Sequence, residues 1–165
     1  MVRSPGPHRF LPADIPMIVA LRPARSDDYT FALHLYRETI KPLARAWIEW
    51  VDEEQEAQFA SLWRPEDTRI ITRDGEEDIG WIEFRKTGDE IFLKQLYISP
   101  VHQRRGIGSQ VMQRLLQECH ATAGSIALFV LKNNPACRFY ERHGFSIVQE
   151  TRTKFIMRRE MDKAA

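Results

Sequence analysis

The sequence predicts an α/β (α+β) fold in which a mixed, largely antiparallel central sheet of about six or seven strands is flanked by about four helices. Strand-like runs near residues 68–73, 79–86 and 90–99 follow one another with turn residues between them, which indicates an antiparallel meander. Residues 107–119 carry apolar side chains at steps of four and precede a second apolar run, residues 125–131, which indicates a helix lying between two strands.

One domain, spanning residues 17–161, is expected from a length of 165 residues. Residues 1–16 contain four prolines, which break any regular element, so this stretch is predicted to be an irregular extension without a part in the chemistry. Residues 162–165 are predicted to be a short tail.

Composition limits the classes of partner. The 24 basic and 23 acidic residues give a net charge of +1, so neither nucleic acid nor a membrane is an expected partner. No apolar run approaches the ~20 residues of a membrane span, and residues 1–16 lack the apolar segment of a secretory signal, so we expect a cytoplasmic protein, either a monomer or a homodimer. Cys119 and Cys137 are too far apart for a paired metal motif and are expected to be buried, reduced thiols; no metal site is predicted.

The chain is expected to begin its fold with a strand at residues 18–22. Ser26 or Asp27 is predicted to cap a first helix, because short polar side chains accept hydrogen bonds from the free N–H groups of a first turn. Lys41-Pro42 is predicted to end or interrupt that helix, since proline disfavours the helical conformation of the residue before it.

A second helix is predicted to begin at Asp52, because Asp52 and Gln55 have the spacing of a capping box. The meander that follows is expected to turn at Asp74-Gly75 and at Thr87-Gly88-Asp89.

The C-terminal part is expected to hold one more helix and a strand pair. Asn134 is predicted to cap the helix with Pro135 in its first position, and Gly144 to close it in the left-handed conformation. Residues 145–150 and 153–158 are predicted to form antiparallel strands.

A glycine pair lies at a strand-to-helix junction. Residues 103–109 read Gln-Arg-Arg-Gly-Ile-Gly-Ser. Gly106 and Gly108 lack a Cβ, so the loop can take a positive φ and admit a ligand close to its backbone, while the following helix directs free N–H groups and its positive dipole end to the same point. Arg104 and Arg105 add positive charge. The pattern indicates a phosphate site; alone, it also fits an ordinary tight turn with two solvated arginines.

A second motif makes the pattern specific. Residues 133–145 read Asn-Asn-Pro-Ala-Cys-Arg-Phe-Tyr-Glu-Arg-His-Gly-Phe. The order Gln-x-x-Gly-x-Gly followed by Asn-x-x-Ala-x-x-Phe-Tyr-x-x-x-Gly-Phe resembles the acetyl-CoA-binding core of the GNAT superfamily of N-acetyltransferases, over roughly residues 79–158. The resemblance implies acetyl-CoA as cosubstrate, an amine acceptor and no metal.

The resemblance also implies which residues hold the cosubstrate. Backbone N–H groups of residues 104–109 would bind the pyrophosphate, and residues 94–98 would hold the pantetheine arm, with the N–H that polarises the thioester carbonyl near Leu96 or Tyr97. The strand at residues 125–131 is expected to diverge from this one and leave a slot for the arm. The full set of predicted cosubstrate-binding residues is Leu96, Tyr97, Ile98, Gln103, Arg104, Arg105, Gly106, Ile107, Gly108, Ser109, Asn133, Ala136 and Phe139.

Tyr140 matches the family position that often protonates the leaving thiolate. Its phenol is a weak acid that can donate to a thiolate for the moment of transfer. A buried aromatic packed on the cosubstrate is the alternative reading. Cys137 lies in the same helix but has no base near it in sequence, which disfavours a covalent acetyl-cysteine.

The base that deprotonates the amine is not fixed by the resemblance. Some family members use a glutamate on the strand before the phosphate loop, but this chain has Phe92 and Lys94 there. Glu83 on the neighbouring strand is the first candidate. Behind it stand His34, Glu38 and His102, and a water chain or a neutral amine would need none of these groups.

The leading hypothesis is an acetyl-CoA-dependent N-acetyltransferase that acts on a primary amine of a small molecule or protein. A non-catalytic acyl-CoA-binding sensor or interaction domain is the alternative. A nucleotide-phosphate enzyme is disfavoured because the glycine loop lacks the lysine and spacing of a Walker loop. The acceptor pocket is expected to be aromatic and acidic, formed by Tyr36, Glu38, Trp47, Glu49 and Trp50, unless both tryptophans only pack on the core.

Overall fold

The computed structural model describes residues 18–161, and a seven-stranded sheet runs through this part of the chain. The predicted extension at residues 1–16 and the tail at 162–165 lie outside the described residues. The strands are β1 (Val19–Pro23), β2 (Thr68–Arg73), β3 (Glu77–Thr87), β4 (Glu90–Ile98), β5 (Ser125–Leu131), β6 (Ser146–Glu150) and β7 (Lys154–Glu160), and the helices are α1 (Tyr29–Ala44), α2 (Asp52–Leu62), α3 (Ile107–Cys119) and α4 (Ala136–Arg142).

The strands are ordered β1-β2-β3-β4-β5-β7-β6. Within the described part of the chain, β4 and β5 form the only parallel pair, because the chain crosses over through α3 between them. The predicted turns hold: Asp74 and Gly75 both have positive φ, as a tight hairpin requires, and so does Gly88 between β3 and β4. The predicted fold class is therefore confirmed.

Helices cover both faces of the sheet. On one face, α1 and α2 enclose a largely aromatic core, and on the other face α3 and α4 enclose a mainly aliphatic core. The first core is built around Ala32, Leu35, Phe59, Ile70 and Trp81, and the second around Ile82, Leu93, Met112, Leu115, Leu128 and Met157. Burial of these side chains is the main force that holds the helices against the sheet.

The first helix does not stop where the sequence predicted. It passes through Lys41-Pro42 and ends at Ala44. Pro42 lies in the last turn, so it removes only one helical hydrogen bond, and the chain continues as a turn in which the N–H of Trp47 donates to the carbonyl of Ala44 over 2.9 Å.

The predicted caps of the first two helices are also wrong. Ser26 and Asp27 lie inside a short 3₁₀ turn, Ser26–Asp28, and neither caps α1. α2 does begin at Asp52, but its cap residue is Val51 and no side chain caps it. The carboxylate of Asp52 instead accepts from the indole of Trp50 and from Lys41, so a nearby ion pair has taken the place of the capping box.

The end of the chain agrees better with the sequence. α4 begins at Ala136, one residue later than predicted, and the Oδ1 of Asn134 accepts from the N–H of Ala136 over 2.9 Å. Gly144 takes the predicted left-handed conformation, with φ +87°. The Phe145 N–H then donates to the carbonyl of Tyr140, which closes the helix.

Candidate active site

The parallel pair at the centre of the sheet opens part of the way along. β4 and β5 pair from Glu90–Ser125 to Leu93–Leu128. Both strands then continue without each other, β4 as far as Ile98 and β5 as far as Leu131. The divergence expected from the resemblance is confirmed, and it leaves backbone polar groups along the edge of β4 free to meet a ligand.

A β-bulge lies at the point of divergence. On β3, Glu83 pairs with Gln95 while the next residue, Phe84, pairs with Leu93, so Lys94 is an extra residue in β4. A bulge bends the strand and redirects its side chains. β4 is therefore irregular directly after Leu93, the last of its residues that pairs with β5.

The three strand residues predicted to hold the arm follow this bulge. Leu96 and Ile98 pack on the core beneath α3. Tyr97 points to the opposite face, where its ring lies 5.1 Å from that of Trp81 and its hydroxyl donates to Gln95. Burial raises the pKa of the Tyr97 hydroxyl. These side chains serve the two cores, so a ligand in the slot would meet their backbone.

The glycine loop exposes a row of free N–H groups. Gly106 has φ +74° and Arg104 has φ +64°. The first backbone bond of α3 runs from Gln110 to the carbonyl of Gly106, and no backbone carbonyl of the described residues accepts from the N–H groups of residues 104–109. The positive end of a 13-residue helix adds to this donor array, and together they suit a phosphate.

The side chains of the loop divide into two roles. Arg104 and Arg105 are exposed, and neither has a carboxylate partner among the described residues, so both are available to an anion. Gln103 instead donates to the carbonyl of Ile98 over 2.8 Å, which fixes the loop to the end of β4. Gln103 therefore braces the loop in this structure.

α4 packs against the first turns of α3. A Cβ on Gly108 would lie 3.2 Å from the ring of Phe139, so the absence of a side chain there allows the two helices to touch. Ser109 Oγ lies 3.1 Å from Nε2 of His143, and this imidazole lies 4.7 Å from the Phe139 ring. Burial, with Arg142 and Arg159, lowers the pKa of His143. Two predicted cosubstrate residues, Ile107 and Ala136, contribute to the core at this junction.

Tyr140 projects from α4 into the core beside Phe139 and Phe145 and is 8% exposed. Its hydroxyl has no hydrogen-bond partner among residues 18–161. Burial raises its pKa, so the phenol stays protonated at neutral pH. The same cause raises the pKa of the Cys137 thiol, which opposes thiolate chemistry at that residue.

Asn133 makes contacts that the sequence did not suggest. Its Nδ2 donates to the carbonyl of Leu43 over 2.9 Å, and its Oδ1 accepts from the indole of Trp47 over 3.1 Å. Asn133 therefore ties the start of α4 to the segment after α1.

Glu83 is almost fully buried, with 3% exposed, and its Oε2 lies 3.4 Å from Nζ of Lys94. Burial raises the pKa of the Glu83 carboxyl, while the charge of Lys94 opposes this effect. Glu83 borders a pocket between α2 and the β3–β4 pair, with a volume of about 60 Å³. The other residues that line this pocket are Tyr36, Gln58, Phe59, Leu62, Trp63, Trp81 and Gln95.

The other candidate bases lie elsewhere. His34 and Glu38 are exposed on α1 and face each other across 4.0 Å. His102 is buried, with its Nε2 3.2 Å from Glu77. Neither group adjoins the bulge, and Glu90, at the start of β4, accepts from Ser125 and Arg158.

The residues predicted to form an acceptor pocket do not all line one pocket of the structure. Of the five residues expected to form it, Tyr36 alone lines the pocket beside Glu83. Trp47 is held by Asn133, and Trp50 donates to Asp52. The aromatic rings of the pocket come instead from Phe59, Trp63 and Trp81.

Within residues 18–161, no group of three His, Cys, Asp or Glu side chains is placed to hold a metal ion. None of the helices described is long and apolar enough to cross a membrane.

Comparison with known proteins decides the family. The model of the acetyltransferase (GNAT) family matches residues 27–145, which is more than half of the chain. The chain belongs to the GNAT acetyltransferase family. A probable N-acetyltransferase of Mycobacterium tuberculosis is 30% identical over 146 residues, which cover 86% of this chain and 80% of that protein.

Solved GNAT structures share the fold. The PaiA N-acetyltransferase of Thermoplasma acidophilum, crystallised with coenzyme A, matches with a TM-score of 0.71 at 18% identity, over 87% of this chain and 99% of that one. The ribosomal-protein-S18-alanine N-acetyltransferase of Escherichia coli matches with a TM-score of 0.66 at 20% identity, over 90% of this chain and 97% of that one.

Two features of this GNAT N-acetyltransferase were not predicted from the sequence. The contact between Lys94 and Glu83 depends on a bulge, whose one-residue shift no strand pattern reveals. The second feature is the pocket beside Glu83. The available signal for it was the alternation along β3, which puts Trp81 and Glu83 on the same face of the strand.

Proposed function

We propose that this chain transfers the acetyl group of acetyl-CoA to a primary amine of a small molecule or protein by direct attack of the amine on the thioester. One observation carries the proposal: β4 loses β5 after Leu93, bulges at Lys94 and leads into the free N–H groups of residues 104–109. The slot beside β4 suits the extended arm of a ligand, and the free N–H groups of the loop that follows suit its pyrophosphate.

The glycine loop supplies the anchor for the pyrophosphate in this proposal. Among the described residues, no backbone carbonyl accepts from its N–H groups, and no carboxylate pairs with Arg104 or Arg105 beside them. Ile107, Gly108 and Ser109 belong to the first turn of α3, whose dipole favours the same negative charge. Binding energy at this distant end orients the thioester for reaction.

The open edge of β4 supports a role for residues 94–98 in binding the pantetheine arm. Polar groups of an unpaired strand edge bind an extended chain as a neighbouring strand would. The N–H of Leu96 or Tyr97 is proposed to polarise the thioester carbonyl, because both follow the bulge. Phe139 and Ala136 would border the arm from α4, and Asn133 would reach it if its bond to Trp47 opened.

Glu83 is proposed to accept the proton of the attacking amine. Its burial and raised pKa make it a stronger base than an exposed carboxylate, and it faces the pocket beside the bulge. The nitrogen then forms its bond to the carbonyl carbon as the carbon–sulfur bond breaks.

Tyr140 is proposed to protonate the departing sulfur. Its hydroxyl has no hydrogen-bond partner within residues 18–161 and remains protonated at neutral pH, so a proton is available when the thiolate forms. A neutral amine thus loses one proton to Glu83 while sulfur gains one from Tyr140, and exchange of protons with water returns both side chains to their starting states.

The alternative function, a non-catalytic acyl-CoA-binding sensor or interaction domain, has one observation in its favour. Lys94 already pairs with Glu83, so an acceptor amine must compete with a group of the chain itself for the proposed base. The hydroxyl of Tyr140, which no side chain in the described part of the chain engages, favours the enzyme.

Thermal denaturation with and without acetyl-CoA, followed by a thiol-release assay on polyamines, amino acids, aminoglycosides and peptides, tests the proposal. At a concentration about 100-fold above Kd, acetyl-CoA should stabilise the fold by about 2.7 kcal/mol, and one acceptor class should release thiol. Stabilisation without turnover on any acceptor would favour the sensor, and no stabilisation would refute both functions.

A further inference from the structure

Lys94 occupies an unusual position on β4. It is the extra residue of the bulge, so it has no pairing partner on β3. It is also the first residue after Leu93, where pairing with β5 ends. Its amine is thus carried by the residue at which the slot opens.

The amine of Lys94 is held by a buried acid. Nζ lies 3.4 Å from Oε2 of Glu83, and the side chain of Lys94 is 30% exposed whereas that of Glu83 is 4% exposed. A carboxylate with so little solvent has few other ways to satisfy its oxygens, so the pair holds the lysine in place. A primary amine is thereby kept beside the proposed base.

We propose that Lys94 is a self-acetylation site: without an external acceptor, the chain transfers the acetyl group of acetyl-CoA to Nζ of its own Lys94. This inference rests on the proposed function, because it uses the same donor and base. It differs in naming an acceptor that the chain itself supplies.

The transfer balances without another reactant. The ammonium of Lys94 gives one proton to the Glu83 carboxylate, and the free Nζ lone pair attacks the thioester carbon. A nitrogen–carbon amide bond forms, the carbon–sulfur bond breaks, and the sulfur leaves as thiolate. The second proton lost by nitrogen balances the proton that the thiolate takes up, so the products are acetyl-lysine and CoA.

Position distinguishes Lys94 from the other four lysines within residues 18–161. Lys41 pairs with Asp52, and Lys132 with Glu150, both on the surface. Lys86 and Lys154 are exposed and have no carboxylate partner among residues 18–161. None of these four pairs with a buried acid, and none lies at the end of the β4–β5 pairing.

Acetylation would also change the site. It removes the positive charge of Lys94 and places an amide where an acceptor amine must pair with Glu83. The modified enzyme should therefore turn over an external acceptor more slowly, and a saturating acceptor should protect Lys94 by competing for the thioester. Self-acetylation would therefore lower the acetyltransferase activity when the acceptor is scarce.

Mass spectrometry of the full chain incubated with acetyl-CoA and no acceptor tests this inference. One adduct of about 42 Da is expected, located on Lys94 by peptide fragmentation. Lys94→Arg should abolish it, and Glu83→Gln should slow its appearance by about 100-fold. Lys86→Arg, which removes an exposed lysine, should leave it unchanged. Circular dichroism establishes that each variant is folded.

Two results would overturn the inference, and they are separable from failure of the proposed function. An unmodified Lys94 in a chain that acetyl-CoA stabilises against heat would overturn the inference alone. Equal labelling of Lys86 and Lys94 would mean chemical acetylation at exposed amines and would also overturn it. Absence of acetyl-CoA binding would refute the proposed function and this inference together.

Discussion

The indole nitrogen of Trp47 donates to Oδ1 of Asn133 over 3.1 Å, although 86 positions separate the two residues in the sequence. Asn133 also donates to the carbonyl of Leu43, at the end of α1. The segment that follows α1 is therefore fixed to the start of α4. Asn133 is a proposed cosubstrate residue, so its side-chain amide connects the proposed cosubstrate site to the segment that follows α1.

Trp47→Phe should lower the KM for acetyl-CoA by up to about fivefold and leave the KM for the acceptor within about twofold, because it removes the hydrogen bond, worth about 1 kcal/mol, that holds Asn133 away from the cosubstrate arm. Steady-state kinetics with each substrate varied measures both. Trp50→Phe is the matched control, since its indole N–H donates to Asp52, two residues away, and phenylalanine keeps a ring to pack on Tyr36. An equal effect of the two variants would mean that Trp47 acts through general packing.

Gly106→Asp should abolish CoA binding. It places a negative charge at the free N–H groups of the loop and adds a side chain at φ +74°. Gly75→Asp is a close control, because Gly75 has φ +73° and, like Gly106, open space around its Cα. Calorimetric titration of CoA should show binding to the Gly75 variant alone. Unchanged affinity in the Gly106 variant would refute the phosphate site.

Tyr140→Phe should lower kcat by about 100-fold and leave the Kd of acetyl-CoA unchanged, because it removes the proton donor and keeps the ring. Tyr29→Phe, on the first turn of α1, controls for the loss of a phenol elsewhere. Stopped-flow thiol release separates chemistry from binding. An undiminished rate would remove Tyr140 as the acid.

The rate should rise with pH through a pKa above the ordinary value of a glutamate, because Glu83 must be ionised to accept a proton and burial raises its pKa. Lys94 and Arg64 oppose this shift, and Asp67 adds to it. Glu83→Gln should remove the ascending limb from the pH profile of kcat/KM. A limb that persists in this variant would assign the base to another group.

The contribution of Glu83 to the stability of the fold should fall as the pH rises, whereas its contribution to the rate should rise. A carboxyl whose pKa is raised by folding stabilises the fold below its unfolded pKa, and that contribution is lost as the pH rises through the folded pKa. The Tm of Glu83→Gln minus the Tm of the wild type should therefore be more positive at pH 8 than at pH 4. Thermal scans of both proteins at both pH values measure this difference. A difference that does not change with pH would show that Lys94 fully offsets the burial.

Local patterns predicted the elements well and the contacts poorly. Turn residues and alternation placed β2 and β5 at their observed bounds, because those signals lie within each segment. The capping box at Asp52 failed because Lys41 and Trp50 compete for the same carboxylate. The contact between Lys41 and Asp52 joins two helices that only the folded chain brings together.

The site shows the same limit. Motif spacing singled out the glycine loop and Tyr140 as candidates, because each candidate depends on one helix and its adjoining residues. It missed that Asn133 would be engaged by Trp47, and it did not indicate that Trp63 and Trp81, rather than Trp47 and Trp50, line the pocket beside Glu83. The bulge at Lys94 decides which side chains meet Glu83, and a bulge depends on the register of two strands.

Amide hydrogen exchange with and without acetyl-CoA tests most directly whether the β4–β5 slot and the glycine loop hold the cosubstrate. We expect slower exchange at residues 94–98 and 104–109, where free N–H groups would gain partners, and no change in β2, which lies two strands away. Unchanged exchange in both segments at saturating acetyl-CoA would contradict the account.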